Sequence, residues 1–172
     1  MNESKTGVAL QEELRQGIPF HSPGHEAFLA LLRTADVAKQ PYVALFRGEG
    51  LTFQQYNVLR ILRGAGPEGL PTLEIAERMI ERMPGVTRIL DRLVAKGLVA
   101  RTRGSRDRRR VWCAITPAGL ELLARLDDPV CALDDVLFEG MGNDEVRALI
   151  AALAGIRARA GELQPPHNRE ES

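Results

Sequence analysis

The residues of this sequence that are best suited to chemistry are arginines crowded into one short stretch. Residues 101–110 contain six of them and a single acid: Arg101, Arg103, Arg106, Asp107, Arg108, Arg109 and Arg110. A guanidinium donates hydrogen bonds in a planar fork that matches the oxygens of a phosphate group. So many cations repel one another unless a polyanion lies nearby. The cluster therefore indicates a surface for a phosphate backbone, and the alternative is a loop that only keeps the protein in solution.

A second basic row precedes this cluster. Arg88, Arg92 and Lys96 follow one another at intervals of four, with Thr87 beside them, and apolar residues alternate with them at helical spacing. Like charges at this spacing destabilise an isolated helix by roughly 0.2–0.5 kcal/mol per pair. A row of phosphates would reverse the sign of that effect. The row predicts one face of a helix that lies on a polyanion, and the alternative is a solvated basic face.

The distribution of charge supports the first interpretation. The 172-residue chain has a formal net charge of zero, yet residues 78–112 hold eleven basic and three acidic side chains, a net charge of +8. The remainder of the chain must therefore carry −8. A basic block on an otherwise acidic chain is typical of a local nucleic-acid surface.

Other classes of function find little support in the sequence. We find no nucleophile motif, no phosphate-cradling glycine loop and no pair of metal ligands, so an enzyme, a metal site or a cofactor is not expected. Cys113 and Cys131 form neither a metal-ligand spacing nor a disulfide framework, which favours a reducing, cytoplasmic setting. No apolar run approaches the length of a membrane span, and no membrane partner is expected.

Hydrophobic spacing predicts the elements that position the basic residues. A long helix begins at a Ser22 cap and continues to about Arg47, and Pro41 should kink it or split it in two. Three shorter helices follow, the first two capped by Thr52 and Thr72 and the third formed by residues 85–96. Residues 98–102 and 111–115 predict two strands of a hairpin. Two helices then complete the chain, the first from Thr116-Pro117 and the second capped by Asn143, and a short helix near residues 8–14 opens it.

The sequence resembles the MarR family of winged helix-turn-helix regulators. The resemblance extends from Glu26 to about Leu153. It is carried by the segments GLTFQQY at 50–56, IAER at 75–78, TRILDRL at 87–93, KGLV at 96–99, DRR at 107–109 and ITPAG at 115–119. The acid and arginine of the wing, followed by a strand that ends in Ile-Thr, are the most specific part of this pattern.

The resemblance implies a mainly α fold with a small β-hairpin wing. A winged helix-turn-helix domain, 48–116, would lie between dimerisation helices from both chain ends, 1–47 and 117–160, and residues 161–172 would form a disordered tail. It also implies a homodimer that binds double-stranded DNA, with a recognition helix in the major groove and Arg109 in the minor groove, held in place by Asp107. We therefore expect the DNA-binding residues to be Thr87, Arg88, Arg92, Arg103, Arg106, Asp107, Arg108 and Arg109. One departure from the family is that Met83-Pro84-Gly85 supplies no hydroxyl at the start of the recognition helix.

The family also implies a repressor that a small, often phenolic or aromatic, anion releases from DNA. Candidate residues for such a ligand are His25, Arg33, Tyr42, Tyr56 and Arg60. The alternative is that the two tyrosines belong to the core, that the two arginines are ion-paired surface residues, as is more common for each, and that His25 caps or borders the first helix. The chief rival function is a winged-helix module that binds another protein and not DNA. An arginine-rich wing that retains Asp107 and Arg109 argues against that rival.

Overall fold

The computed structural model describes residues 10–81, 84–103 and 111–163. Those residues form seven helices and three strands in the order α1 (Leu10–Glu13), α2 (Pro23–Gly48), α3 (Phe53–Ala65), β1 (Leu70–Pro71), α4 (Thr72–Arg78), α5 (Val86–Ala95), β2 (Val99–Arg103), β3 (Val111–Ile115), α6 (Pro117–Leu137) and α7 (Asn143–Glu162). The chain divides into two compact units, residues 1–130 and residues 131–172. The predicted mainly α fold with a β-hairpin wing is confirmed. None of the described helices is long and apolar enough to cross a membrane.

Most of the predicted helix starts are present, and local chemistry explains them. Ser22 caps α2 by accepting a hydrogen bond from the His25 N–H at 3.2 Å. Thr52 and Gln55 form a reciprocal capping box at the start of α3. Thr116 accepts from the Gly119 N–H at 3.1 Å and donates to the Gly97 carbonyl at 2.7 Å. Its hydroxyl therefore begins α6 and ties that helix to the end of α5.

Five predictions about the elements differ from the structure in detail. Of the two outcomes predicted for Pro41, the split is wrong, because a proline removes only one hydrogen bond from a helix of 26 residues and α2 continues through it; the kink stays a prediction. Thr72 and Asn143 are the first residues of their helices, and the caps are Pro71 and Gly142. Neither cap makes a side-chain hydrogen bond to its helix; at α7 the Glu145 carboxylate instead accepts from the Gly142 N–H at 2.7 Å.

The fourth difference is a third strand. β1 pairs antiparallel with β3, so the sheet has the order β1-β3-β2 where the sequence predicted a hairpin alone. Its two residues are too few to show an alternating pattern, and one of them is a proline at a sheet edge.

At the chain end, α7 continues through Gly161 to Glu162, past the predicted start of the disordered tail. The rest of that predicted tail, residues 164–172, lies outside the described residues.

The core of the first unit is a single cluster of apolar side chains from helices α2 to α6 and the sheet. Its fully buried members include Phe46, Leu59, Leu62, Ile75, Leu90, Leu93 and Leu123. Phe46 stacks on Tyr56 with ring centroids 3.9 Å apart, which anchors α2 on α3. Because Leu90 and Leu93 enter this cluster from α5, the opposite face of that helix must point outward.

Gly119 of α6 lies against Leu98 and Ile115, with no room for a side chain. A Cβ at this position would lie 2.5 Å from the Leu98 carbonyl oxygen and 2.7 Å from Ile115 Cγ1. Both distances are shorter than van der Waals contact, and the first involves backbone, which cannot move aside without disturbing the sheet. Glycine is therefore required at this point of the ITPAG segment for steric reasons.

We expect Gly119→Ala to destabilise the protein by about 1–3 kcal/mol, the usual range for overpacking a core. For a chain of this size each kcal/mol corresponds to a fall in Tm of roughly 2–4 °C. Thermal melts at one fixed protein concentration measure the effect. The matched control is Gly64→Ala near the end of α3, where a Cβ would meet nothing within 4 Å. Equal melting temperatures for the two variants would contradict this account of Gly119.

Candidate nucleic-acid interface

The α5 helix presents the predicted basic face to solvent. Val86, Leu90 and Leu93 are buried, while Thr87, Arg88 and Arg92 are exposed. Within the described part of the chain, neither Arg88 nor Arg92 forms an ion pair. Both guanidinium groups keep their donors for an external acceptor, as a phosphate-binding helix requires.

Lys96 differs from the other two cations of the predicted row. Its ammonium group donates to the carbonyl oxygen of Gly50, before the start of α3. The lysine therefore links the C-terminal end of α5 to the α2–α3 turn. The helical spacing that the sequence shows could not reveal this contact, because Gly50 is distant in sequence.

The backbone conformation at the N-cap of α5 explains why a glycine, and not a residue with a hydroxyl, stands there. Gly85 is the N-cap residue, with φ of 101°, and no side chain caps the helix. A positive φ of this size favours glycine over residues with a Cβ. The first N–H groups of a helix have no acceptor within the helix itself, so this turn offers main-chain donors and no side-chain hydroxyl.

The turn before α5 is held by a polar network. Lys39 of α2 donates to Glu81 Oε1 at 2.8 Å, and Gln54 of α3 donates to Glu81 Oε2 at 2.9 Å. The buried side chain of Asn57 accepts from the Ile80 N–H at 3.0 Å. Three residues from two helices thus hold Ile80 through its backbone and Glu81 through its side chain, a few residues before α5.

Of the wing residues predicted to bind DNA, only Arg103 lies within the described part of the chain. It ends β2, opposite Val111 of β3, and its side chain is outside the description. Residues 104–110 also lie outside the described residues, and they include Arg106, Asp107, Arg108 and Arg109. The contacts proposed for these residues stay predictions.

Arg101 of the wing behaves differently from the expected phosphate-binding cluster. Its guanidinium donates to Asp91 Oδ1 on α5 and, from Nη2, to the Thr87 carbonyl at 3.2 Å. Burial acts to lower the pKa of Arg101, but the Asp91 carboxylate and the nearby Cys113 sulfur outweigh it and raise the pKa. A partly exposed pair of this kind adds only about 0–1 kcal/mol to stability. The crowded arginines of residues 101–110 placed Arg101 in the predicted phosphate-binding cluster, although strand alternation with Val99 indicates the inner face of the hairpin.

The five candidate effector residues fall into three sets of contacts. Tyr56 is in the core, Tyr42 lies with its ring centroid 6.4 Å from that of Phe46, and exposed Arg60 donates to the Tyr56 hydroxyl at 3.1 Å. Arg33 instead pairs with Glu13 of α1 at 2.6 Å. His25 packs against His21, with ring centroids 4.2 Å apart. The structure therefore links Tyr42 to Tyr56 through Phe46 and Arg60 to Tyr56 directly, and it gives His25 and Arg33 other neighbours.

Comparison with known proteins identifies the family. The MarR family model matches residues 51–111, which run from just before α3 to the first residue of β3. The transcriptional regulator TtmR of Methylorubrum extorquens strain PA1 is 35% identical over 142 residues, which cover 80% of this chain and 70% of TtmR. A MarR transcription factor from Planctomyces limnophilus is 42% identical, with a TM-score of 0.61 over 79% of this chain and 98% of that one. The chain belongs to the MarR family.

Membership of the MarR family confirms the resemblance noted in the sequence and the winged helix-turn-helix fold. MarR proteins are transcriptional regulators, so the family places this chain among regulators and not among enzymes. A further relative, the homoprotocatechuate degradative operon repressor of Escherichia coli, is 30% identical over 97 residues, which cover 56% of this chain and 64% of the repressor.

Glu81 provides a test of the network that holds the turn before α5. Hydrogen bonds from Lys39 and then Gln54 lower the pKa of Glu81 below its ordinary value. A lowered carboxyl pKa stabilises the folded state above the unfolded-state pKa, about 4.3, and this stabilisation is lost as pH falls through the folded-state pKa. We expect Glu81→Gln to lower Tm by roughly 1–3 °C at pH 7, equivalent to up to about 1 kcal/mol. The difference from wild type should shrink toward zero near pH 3.

Circular dichroism melts at pH 7, 5 and 3 would measure this dependence. The control is Glu121→Gln, an exposed carboxylate on α6 that forms no ion pair with a described residue. A Glu81→Gln deficit that stays constant from pH 7 to pH 3 would mean that the carboxylate charge is not what holds the turn.

Proposed function

We propose that this MarR-family protein is a homodimeric, sequence-specific regulator of transcription that binds double-stranded DNA in the cytoplasm. The observation that carries the proposal is the outward face of α5, where exposed Arg88 and Arg92 stand beside Thr87 on a helix whose other face is buried. A helix of this kind fits the major groove, which admits an α-helix and displays its base edges. The main-chain donors at Gly85 suit a phosphate.

The wing extends this interface in the proposal. Arg103, Arg106, Arg108 and Arg109 would contact the DNA backbone, and Arg109 would enter the minor groove with Asp107 as its hydrogen-bond partner. Narrow, A·T-rich minor grooves attract an inserted guanidinium. The net charge of +8 over residues 78–112 supplies the attraction, and the acidic remainder limits non-specific binding.

Dimerisation would use the helices at both chain ends, residues 1–47 and 117–160. On α2, Phe28 is 58% exposed and Leu32 is 52% exposed. No residue of α7 is buried, and its apolar Ile150 is 58% exposed. Large apolar side chains repeated along unburied helices are typical of a protein–protein interface. A dimer would cover them and hold two α5 helices at a fixed spacing.

Repression and release by a phenolic or aromatic anion complete the proposal. The relative named as repressor of the homoprotocatechuate degradative operon supports the first feature, repression. On this chain partly exposed Tyr42 offers an aromatic ring, and exposed Arg60, which contacts the buried ring of Tyr56, offers a cation; both suit an aromatic carboxylate. His25 and Arg33 remain secondary candidates, since each already has other partners.

Replacement of the wing arginine tests DNA binding. With the DNA upstream of its own gene, Arg109→Ala should bind at least about tenfold more weakly than wild type, a loss of roughly 1.4 kcal/mol or more. Gel shifts at several salt concentrations provide the measurement, and the wild-type affinity should fall steeply as salt is added. Arg157→Ala, which removes an exposed arginine from α7, is the control of equal charge.

Two results would contradict the proposal. One is an affinity that is the same for wild type and Arg109→Ala, and the other is a flat response to salt. Either would favour the rival function, a winged-helix module that binds protein and not DNA.

Replacement of Arg60 tests the effector site. A panel of phenolic and aromatic acids, including homoprotocatechuate, should contain a compound that releases wild-type protein from DNA. Arg60→Met should raise the concentration needed for release by about tenfold or more, because a charge-assisted hydrogen bond to the carboxylate is lost. Its affinity for DNA without the acid should be unchanged. Release of both proteins at the same concentration would remove Arg60 from the site.

A further inference from the structure

Arg101 occupies the inner face of the wing, not its outer surface. In the antiparallel pairing of β2 with β3, Val99 lies opposite Ile115 and Arg101 lies opposite Cys113. Residues that alternate along a strand share a face, and residues directly opposite in an antiparallel pair do so as well. Since Cys113 is 0% exposed and Val99 is buried, the strand directs Arg101 into the protein, toward α5.

The guanidinium of Arg101 contacts α5 at two points. It donates to the Asp91 carboxylate and to the main-chain oxygen of Thr87. Thr87 and Asp91 are four residues apart, so they lie on one face of the helix, one turn from each other. A planar fork bound at both points fixes the direction of the helix axis relative to β2, which a single contact would not do.

This contact lies between the two parts of the chain that are proposed to bind DNA. Arg101 is two residues before the end of β2, and the chain passes from there directly into residues 104–110, which hold Asp107 and Arg109. Thr87, Arg88 and Arg92 stand on the helix at the other end of the contact. The Arg101 side chain therefore links the two halves of the proposed DNA interface.

We infer that Arg101 is a positioning residue, which sets the angle between α5 and the wing so that both engage one DNA site. The inference rests on the proposed DNA-binding function and deepens it. Arg101 acts through Asp91 and Thr87 and does not itself contact the phosphates. Its main competitor is a simpler role, in which Arg101 is one more cation that attracts DNA.

Asp91 distinguishes these two roles because they predict opposite signs. Asp91 is 55% exposed on the helix that would enter the groove. If Arg101 only attracts DNA, Asp91→Asn removes a repulsive charge and frees the arginine, so binding should tighten. If the pair positions the wing, the same change should weaken binding to the specific site.

The experiment measures affinity for the DNA upstream of its own gene and for unrelated DNA at several salt concentrations. The proteins are wild type, Asp91→Asn, Arg101→Met and the double variant. We expect Asp91→Asn to lose about tenfold or more in specific affinity and to bind unrelated DNA at least as tightly as wild type. The double variant should be no more than about twofold weaker than Arg101→Met, because the two residues act through one contact.

Arg125→Met and Glu49→Gln serve as controls. They break another ion pair between elements, in which Arg125 Nη2 lies 3.2 Å from Glu49 Oε2. These controls should keep the specificity ratio of wild type. Hydroxyl-radical footprints add a readout of position: Asp91→Asn should lose protection at the minor groove under the wing and keep protection under α5.

The outcomes separate the inference from the function on which it rests. Tighter specific binding by Asp91→Asn, or losses that simply add in the double variant, would overturn the positioning role while DNA binding stands. If wild-type protein does not discriminate its own upstream DNA from unrelated DNA, the proposed function fails, and the positioning role fails with it. Since Asp91→Asn is a conservative change at an exposed site, its result does not depend on whether Arg101→Met folds.

Discussion

The burial of one face of α5 is the constraint on which the rest of this structure depends. Leu90 and Leu93 are fully buried, and burying a side chain of this size stabilises a fold by about 1.5–3 kcal/mol. A ten-residue helix would be marginal in water without that packing. Once the apolar stripe is fixed in the core, the direction of every other side chain on the helix follows, including the exposed cations Arg88 and Arg92.

Polar contacts from the surrounding elements hold this helix at both of its ends. Lys39 and Gln54 fix the turn that precedes it through Glu81, and Arg101 ties its first turns to β2. Lys96 links its last turn to Gly50. Each of these polar contacts is partly exposed and adds little stability by itself. Together they determine orientation, whereas the apolar core determines whether the domain folds.

The sequence predicted those features that depend on local pattern. The boundaries of α2, α3, α5 and β3 follow from caps and hydrophobic period, and the outward face of α5 follows from the same period. Contacts between distant residues could not be read in this way. Glu81 and Lys39 are 42 residues apart, and no local sequence pattern around either residue predicts their contact. Arg101 is instructive because alternation did contain the signal, but the surrounding arginines obscured it.

Gly85, the N-cap of α5, has a consequence for the range of DNA sites that a regulator of this kind can bind. Hydrogen bonds donated by main-chain N–H groups reach phosphates, and phosphates are the same at every base pair. With Gly85 at φ of 101°, a serine at this position would have to adopt a strained backbone before its hydroxyl could contact a base. For a chain that binds DNA as proposed, the bases that face this turn are free to vary among its target sites. Such a regulator can acquire new promoters by single base changes at those positions, without any change in its own sequence.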